Sequence, residues 1–542
     1  MQLAYGSFSN MRSDITAEEV SQHCKAGDAW ISVGEHVYDV SRFAALHPGG
    51  AQVLLADAGT DATAVFTSFH DPSVLRKYHA KLCIGTLADY EPPFKVPPEA
   101  LNNPLGAFGD LVPFGDPSWY QRFNSPYYTA SHVAWRARMR AFVDEHVVAR
   151  LHEMEGLSAP PAELLEAAGA AGVLAASVGP PWVGGLIGVT PPELGERGEL
   201  FDCFHELIMH DELARCGDMT LVSGLVTGVS VAVPPVLHFG SAEMCARVVP
   251  DVLAGRKSIA LAITEPHAGS DVAGLRCTAV RDSDDGDGAF VVSGNKKYIT
   301  NGQFASYFVT VVRTGKAGGG AGANGLSFLL LERGMPGFSV RKMRIGGLSS
   351  SMSGTAYLDF ENVAVPAANL LGEENGGFKL IMANFNHERF GICCQCARLA
   401  RCCLEEALKH ATRRETFGQK LHQHQAVRMK IAEMSRHVEA LQAWLELVAY
   451  QMCTMPQEEA TAKLGDTLCL LKVQASRTFE LCARQAVHVF GGYGLQSTGP
   501  GAKVEMLSKQ VHGLAIPGGA EDILDDFAAR AAFKMAALVS KI

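Results

Sequence analysis

The chain has 542 residues, which at about 150 residues per domain points to three or four domains. With 47% apolar and 19% charged residues it can fill several cores, which excludes a globally disordered chain. The balance of 47 Lys and Arg against 57 Asp and Glu leaves a net charge of −10, which argues against nucleic acid as a partner.

The first residues, "MQLAYGSFSNMRSD", lack the charged-then-apolar order of a secretory signal. Residues 14–90 alternate short apolar runs with polar turns, and "AWISVGEHVYDV" (29–40) predicts two short strands around a glycine turn. In "FAALHPGG", His47 sits on a turn where Gly49 and Gly50 let the backbone pass close to a planar ligand. "DATAVFTSF" predicts a helical stretch leading to His70, 70 − 47 = 23 residues on. A haem iron takes two axial ligands from separate elements, with apolar residues filling the pocket between them. No C-x-x-C-H occurs, so such a haem would be held without covalent attachment. His79 competes with His70 as the second ligand, but His70 has the better spacing.

Residues 91–125 carry Pro92, Pro93, Pro97, Pro98, Pro104, Pro113 and Pro117 and predict a semi-rigid linker. From Tyr127 helical spacing takes over, as in "SHVAWRARMRAFVDEHVVARLHEM". Between 258 and 372 the pattern is strand-like: "SIALAIT", "AFVVSG", "KYITNG", "SYFVTVVRTG", "LSFLLLE", "TAYLDF". Within it "DSDDGDG" (282–288) lacks the twelfth-position Glu of a calcium loop and reads as a hairpin turn. "GKAGGGAGANG" (315–325) lacks phosphate-loop spacing and reads as a flexible connection. After 374 helices return; Val427, Ile431, Met434, Val438, Leu441, Leu445 and Val448 form one apolar stripe facing a bundle. No uninterrupted apolar run of about 18 residues is found, so no transmembrane segment is expected. Of the 14 Cys, those in "CCQC" and "RCC" lack paired zinc spacing and are expected to be buried thiols of a reducing compartment. Ser540-Lys541-Ile542 is one residue from a peroxisomal address, so a peroxisome is expected, with mitochondrion or cytoplasm as alternatives.

His47 in H-P-G-G, "VYDVSRF" (37–43), His70 and "KLCIGTL" (81–87) arrive in the order of the cytochrome b5 family, which residues 14–90 resemble. The resemblance implies a small α+β domain over 1–90, haem b on His47 and His70, and one-electron transfer. Ser68-Phe69-His70 departs from the Val-Gly-His-like context usual in that family.

"LAITEPHAGSDVAG" (261–274) and "GNKKYITNG" (294–302) are strand ends followed by hydroxyls and free amides, which can bond the polar edge of a planar ring. Together with "RRETFGQKLHQHQAVRMKIAEM", "HVFGGYGLQ" and "AIPGGAEDIL" they resemble the acyl-CoA dehydrogenase family from about residue 125 onward. The resemblance implies a helical domain (126–257), a middle β domain (258–373) and a four-helix bundle domain (374–542). It places FAD beside Leu261, Ala262, Ile263, Thr264, Ser270, Tyr298, Ile299 and Thr300, with Tyr298 where many members have Trp. Arg414, Thr416 and Phe417 correspond to groups that reach a neighbouring subunit's FAD, and Gln425, His488, Gly491 and Gly492 follow in that site. A homodimer or homotetramer is thereby implied, with an acyl-CoA substrate.

Dehydrogenation needs a carboxylate beside the substrate α-carbon and donors on the thioester oxygen. Many family members carry that Glu in Tyr-Glu-Gly-Thr; here the aligned stretch is Pro517-Gly518-Gly519-Ala520, so the usual position is glycine. A minority branch carries it in a Glu-Arg pair at the start of a long helix, which matches Glu388-Arg389. Glu388 is therefore the expected base, with Arg389 orienting it or stabilising charge, Ser270 and Arg389 near the substrate, the Gly518 amide on the thioester oxygen, and Glu521 in reserve. Ala520 for Thr and His267 for Gly are further departures. A haem tethered by a short linker acts at roughly millimolar effective concentration, so it is expected to take electrons singly from the reduced flavin, although an electron-acceptor protein is also possible. The alternatives are an oxidase that passes electrons to oxygen and a catalytically silent haem- and acyl-CoA-binding sensor.

Overall fold

The computed structural model describes residues 11–70, 72–90, 108–121, 123–192, 201–282, 288–314, 322, 324–345 and 351–539. Most of the linker, the interiors of the two Asp- and Gly-rich loops and the Ser-Lys-Ile terminus lie outside these.

Strands β1 (Arg12–Ile15), β2 (Cys24–Lys25), β3 (Asp28–Val33), β4 (His36–Asp39) and β5 (Cys83–Leu87) form one sheet in the order β1-β5-β4-β3-β2. The expected glycine turn joins β3 to β4 with Gly34 at φ +60°, a left-handed conformation glycine adopts without strain. Alternation along β3 sends Ala29, Ile31 and Val33 to one apolar cluster and Trp30 to another with Ile15, Val20 and Val37. Helices α1 (Ala17–Gln22), α2 (Ala51–Leu55), α3 (Thr63–Phe69) and α4 (Pro72–Leu82) complete this unit. α3 is the stretch predicted to lead to His70.

A helical unit follows: α5 (Ala130–Phe142), α6 (Ala162–Ala171), α7 (Val173–Ala176), α8 (Cys203–Ala214), α9 (Met219–Val222), α10 (Gly228–Phe239) and α11 (Ala242–Leu253). The long helix expected over 131–154 is α-helical only to Phe142; it widens to a π-turn over Val143–Val147 and tightens to 3₁₀ over Val148–Glu153. Met219–Phe239, interrupted by Thr220, Ser223, Thr227 and Ser230, is the one long apolar stretch among the described residues. Its mean hydropathy of 1.7 is high enough for a membrane span, yet 78% of its most apolar 18 residues are buried inside the protein as core.

Eight strands make the next layer: β6 (Ile259–Ala262), β7 (Thr278–Arg281), β8 (Phe290–Ile299), β9 (Tyr307–Arg313), β10 (Leu326–Glu332), β11 (Phe338–Lys342), β12 (Ala356–Val365) and β13 (Leu370–Leu371). "AFVVSG" and "KYITNG", expected as two strands, are the single strand β8. Gly294 at φ +141° sits mid-strand, where a Cβ would fall 2.8 Å from the Cys277 backbone. The chain closes with α12 (Gly377–Arg413), the hairpin β14 (Glu415–Thr416) and β15 (Gln419–Lys420), then α13 (Gln425–Thr454), α14 (Gln457–Lys463), α15 (Gly465–Phe490), α16 (Ala502–Ala515) and α17 (Glu521–Val539). The predicted stripe on α13 is buried at Met434, Val438, Leu441, Leu445 and Val448. Each such side chain contributes about 1.5–3 kcal/mol by leaving water. Cys393, Cys394, Cys396, Cys402 and Cys403 are free, buried thiols, as expected.

The segment just before α5 is not linker. Tyr120 and Asp116 are buried, and the fully buried guanidinium of Arg398 donates to Asp116 Oδ1 (2.8 Å) and the Gly115 carbonyl (3.2 Å), and pairs with Asp211. Arg401 donates to the carbonyls of Phe114 (2.9 Å) and Asp116 (3.1 Å). Two arginines buried inside α12 need those acceptors, since an unpaired buried charge is costly, and this fastens residues 114–116 to the helix.

Candidate functional site

Between β3, β4, α2, α3 and α4 lies a cavity of about 640 Å³, walled by apolar side chains such as Ile31, Val40, Leu54, Phe66 and Leu75, with His47 and His70 on its lining. Two imidazoles sharing one metal through bonds of about 2 Å place their ring centroids about 6 Å apart; here the separation is 5.8 Å. His47 Nδ1 lies 3.3 Å from the Gly50 carbonyl, and His70 Nδ1 lies 3.3 Å from the Phe66 carbonyl. A carbonyl only accepts, so each Nδ1 bears the proton and each Nε2 keeps its lone pair for a metal. Gly49 passes so close that a Cβ there would fall 3.0 Å from His47 Cε1. The residues fit a non-covalent haem. His79 is not on the lining; its Nδ1 meets the Tyr38 hydroxyl at 3.1 Å.

Glu388 lies within α12, 388 − 377 = 11 residues from its first residue, and not at a helix start as expected. The helix begins earlier because Gly376 and Gly377 close a turn onto β10, where a Cβ on Gly377 would strike Leu326. The half-buried carboxyl accepts no hydrogen bond from the described residues. Burial pushes its pKa above the usual glutamate range, while Arg389, Lys472 and His387 pull it back. Arg389 makes no hydrogen bond or ion pair to Glu388 among the described residues, and its charge acts on the carboxyl from a distance. Its Nε donates to the Gly518 carbonyl (2.9 Å) and its Nη1 to Asn386 (3.1 Å). Lys472, which sequence reasoning missed, is fully buried and donates to the carbonyls of Ala515 and, at 2.9 Å, Gly519. Two cations thus hold the loop in which Gly518 (φ +68°) replaces the usual Glu. Glu521 points elsewhere, onto Ser476 and Arg477.

In the β layer, the buried Lys296 donates to the Ile263 carbonyl (2.9 Å) and Glu265 Oε1 (2.8 Å), and Glu265 accepts from the amides of Arg276 and Cys277. This fixes the turn just past β6 at Thr264, whose carbonyl accepts from the Lys297 amide at 2.8 Å. Ser270 and Tyr298 (φ +60°) are exposed, while Leu261 and Thr300 are half-buried. The side chains of Ala262, Ile263 and Ile299 point into cores, which leaves their backbone groups as the ones a planar ligand could meet.

A second cavity, of about 480 Å³, is lined by Arg414, Thr416, Gly491, Gly492 and Tyr493, with His410 one helical turn from Arg414. Burial, with Arg414 and Arg413 nearby, pushes the His410 pKa down to about 4, so its ring is neutral. A Cβ on Gly491 or Gly492 would project into open space, leaving bare backbone beside an arginine fork. Such a cradle suits a dinucleotide pyrophosphate, and the residues fit FAD. Phe417, Gln425 and His488 are not on this lining. Phe417 caps the β14–β15 hairpin at φ +51° and is 97% exposed. His410 was missed, its only sequence signal being the four-residue spacing to Arg414; Tyr493 was not singled out although it lies inside "HVFGGYGLQ".

A haem-sized cavity with two ligand-ready imidazoles, beside a helix–sheet–helix flavoenzyme architecture, defines a haem-containing flavoprotein. The family models for acyl-CoA dehydrogenase N-terminal, middle and C-terminal domains match residues 129–256, 260–363 and 375–533, and that for a cytochrome b5-like heme/steroid binding domain matches 16–88. Acyl-CoA dehydrogenase AFT10-1 of Alternaria alternata is 36% identical over 77% of this chain and 95% of its own length. Acyl-CoA dehydrogenase apdG of Emericella nidulans is 36% identical over 78% of this chain and 96% of its own. A solved structure of a probable acyl CoA dehydrogenase from Mycobacterium abscessus superposes with a TM-score of 0.66 at 30% identity, over 75% of this chain and 100% of its own. The chain belongs to the acyl-CoA dehydrogenase family and carries a cytochrome b5-like domain ahead of the dehydrogenase domains. It is a flavin-dependent oxidoreductase of acyl-CoA, whose domains call for FAD and haem.

Proposed function

We propose that the chain converts a saturated acyl-CoA to the trans-2-enoyl-CoA of fatty acid β-oxidation, with Glu388 as the base, and that its own haem receives the electrons. FAD, when bound, supplies the hydride acceptor, and haem supplies a one-electron acceptor. Glu388 takes the α-hydrogen as a proton, and the electron pair of that bond becomes the new carbon–carbon π bond as the β-hydrogen departs. The Gly518 amide donates to the thioester oxygen, where negative charge develops. Arg389 holds Gly518 in place and leaves the Glu388 carboxylate unpaired and reactive. Arg414, Thr416 and Phe417 reach the flavin of a second copy, making the working unit a homodimer or homotetramer.

The observation that carries this reading is the 2.9 Å bond from Arg389 to the Gly518 carbonyl, which ties the residue beside Glu388 to the loop that lost its own carboxylate. The test is an anaerobic titration of the holoprotein with short, medium, long and branched acyl-CoAs, following the flavin and haem bands together. Flavin bleaching followed by haem reduction is expected. Glu388→Gln should slow bleaching by about 10²–10⁴-fold, and an undiminished rate would remove Glu388 from the role. His47→Ala should abolish the Soret band and leave flavin bleaching intact.

A further inference from the structure

We propose that His36, His79 and Cys83 form a second metal site in the haem-binding domain, which takes a borderline divalent cation of the zinc class on two imidazole nitrogens and one thiolate.

The fold brings the three together from distant positions. His36 opens β4 and Cys83 opens β5, and these strands pair antiparallel with Tyr38 opposite Cys83. His79 lies in the last turn of α4, which runs directly into β5, so it precedes Cys83 by 83 − 79 = 4 residues. One ligand atom from each residue lies within 4.8 Å of the other two. Tetrahedral bonds of about 2.0–2.3 Å set ligand atoms about 3.3–3.8 Å apart, so closing around a cation requires side-chain shifts of about 1 Å. The rings of His36 and His79 already meet edge to face, with centroids 4.8 Å apart at 77°.

Hydrogen bonding shows which nitrogens are left over. The Nδ1 of His79 is engaged by the Tyr38 hydroxyl at 3.1 Å, which leaves its Nε2. The Nε2 of His36 faces the Glu35 carboxylate at 3.7 Å, which leaves its Nδ1. That Nδ1 is shut off from solvent and has no hydrogen-bond partner. A buried ring nitrogen without a partner is unfavourable, and a cation would satisfy it. Metal-bound histidines characteristically give their other ring nitrogen to a carboxylate or another acceptor, and here Glu35 and the Tyr38 oxygen stand in those two places. All three residues are half-exposed, so water can complete the fourth position.

None of the three lines the haem cavity, but Tyr38 does, and its hydroxyl reaches His79. The cation would sit behind one tyrosine from the haem and be independent of His47 and His70.

The experiment uses full-length, untagged holoprotein stripped with a chelator and titrated with Co²⁺, then Zn²⁺. A thiolate-to-cobalt charge-transfer band saturating at one equivalent and displaced by Zn²⁺ is expected. Cys83→Ser should lose that band, and His79→Gln should weaken binding at least tenfold, while both keep the Soret band that reports a folded domain. A parent protein with no thiolate band, or a Cys83→Ser protein with the parent's band and stoichiometry, would overturn the site.

Discussion

The base proposed above works only as a carboxylate, so the raised pKa of Glu388 gives that proposal a kinetic sign. As pH falls through that pKa the base is protonated and kcat/KM drops, and burial places this limb above the roughly 4.3 of an ordinary glutamate. Arg389, Lys472 and His387 face the carboxyl and limit the rise. Replacing Lys472 with Met should move the limb of the pH–kcat/KM profile further toward neutrality, and an unmoved limb would show that this cation does not act on Glu388. His47 and His70 were legible in the sequence because their motif lies in one short stretch with telling turn residues. Lys472 and His410 were not, because each is an ordinary helix residue whose partners arrive only through packing between distant segments. The place of Glu388 three turns inside α12 was not legible, since periodicity does not mark where a helix begins.

Among elements, α12 shows most clearly how side chains override composition. Proline content marked residues up to 125 as linker, yet Arg398 and Arg401 on α12 recruit residues 114–116 into a buried ionic cluster. Removing one partner from a buried pair costs about 3–5 kcal/mol, so Asp116→Ala should lower the thermal unfolding midpoint of the dehydrogenase part and leave the Soret band unchanged. Equal stability of the two proteins would place that cluster outside the folding energetics. Strand content over 258–372 was legible from alternation and β-branched residues. The fusion of two expected strands into β8 was not, because a glycine there reads as a break, whereas in the sheet it gives room for Cys277.

Across the whole molecule, the order of domains was readable, because composition changes sharply at the proline-rich stretch and again near 258 and 374. Assembly was less so, since it rests on surfaces: Phe417 is almost wholly exposed on a hairpin tip, where an aromatic ring gains by entering another surface. Phe417→Ala should lower the flavin-to-protein ratio after gel filtration at dilute concentration, with secondary structure unchanged; full flavin retention would exclude it from the cofactor site of a second copy. The loop from Ala515 to Gly519 carries a consequence for how this catalyst can change. A carboxylate placed at position 518 would need a left-handed backbone at φ +68° and would bring its first carbon 3.0 Å from Ile392, beside two cations. Any side chain at that position meets a backbone suited to glycine and a crowded isoleucine, so an exchange there should cost stability before it could supply a base.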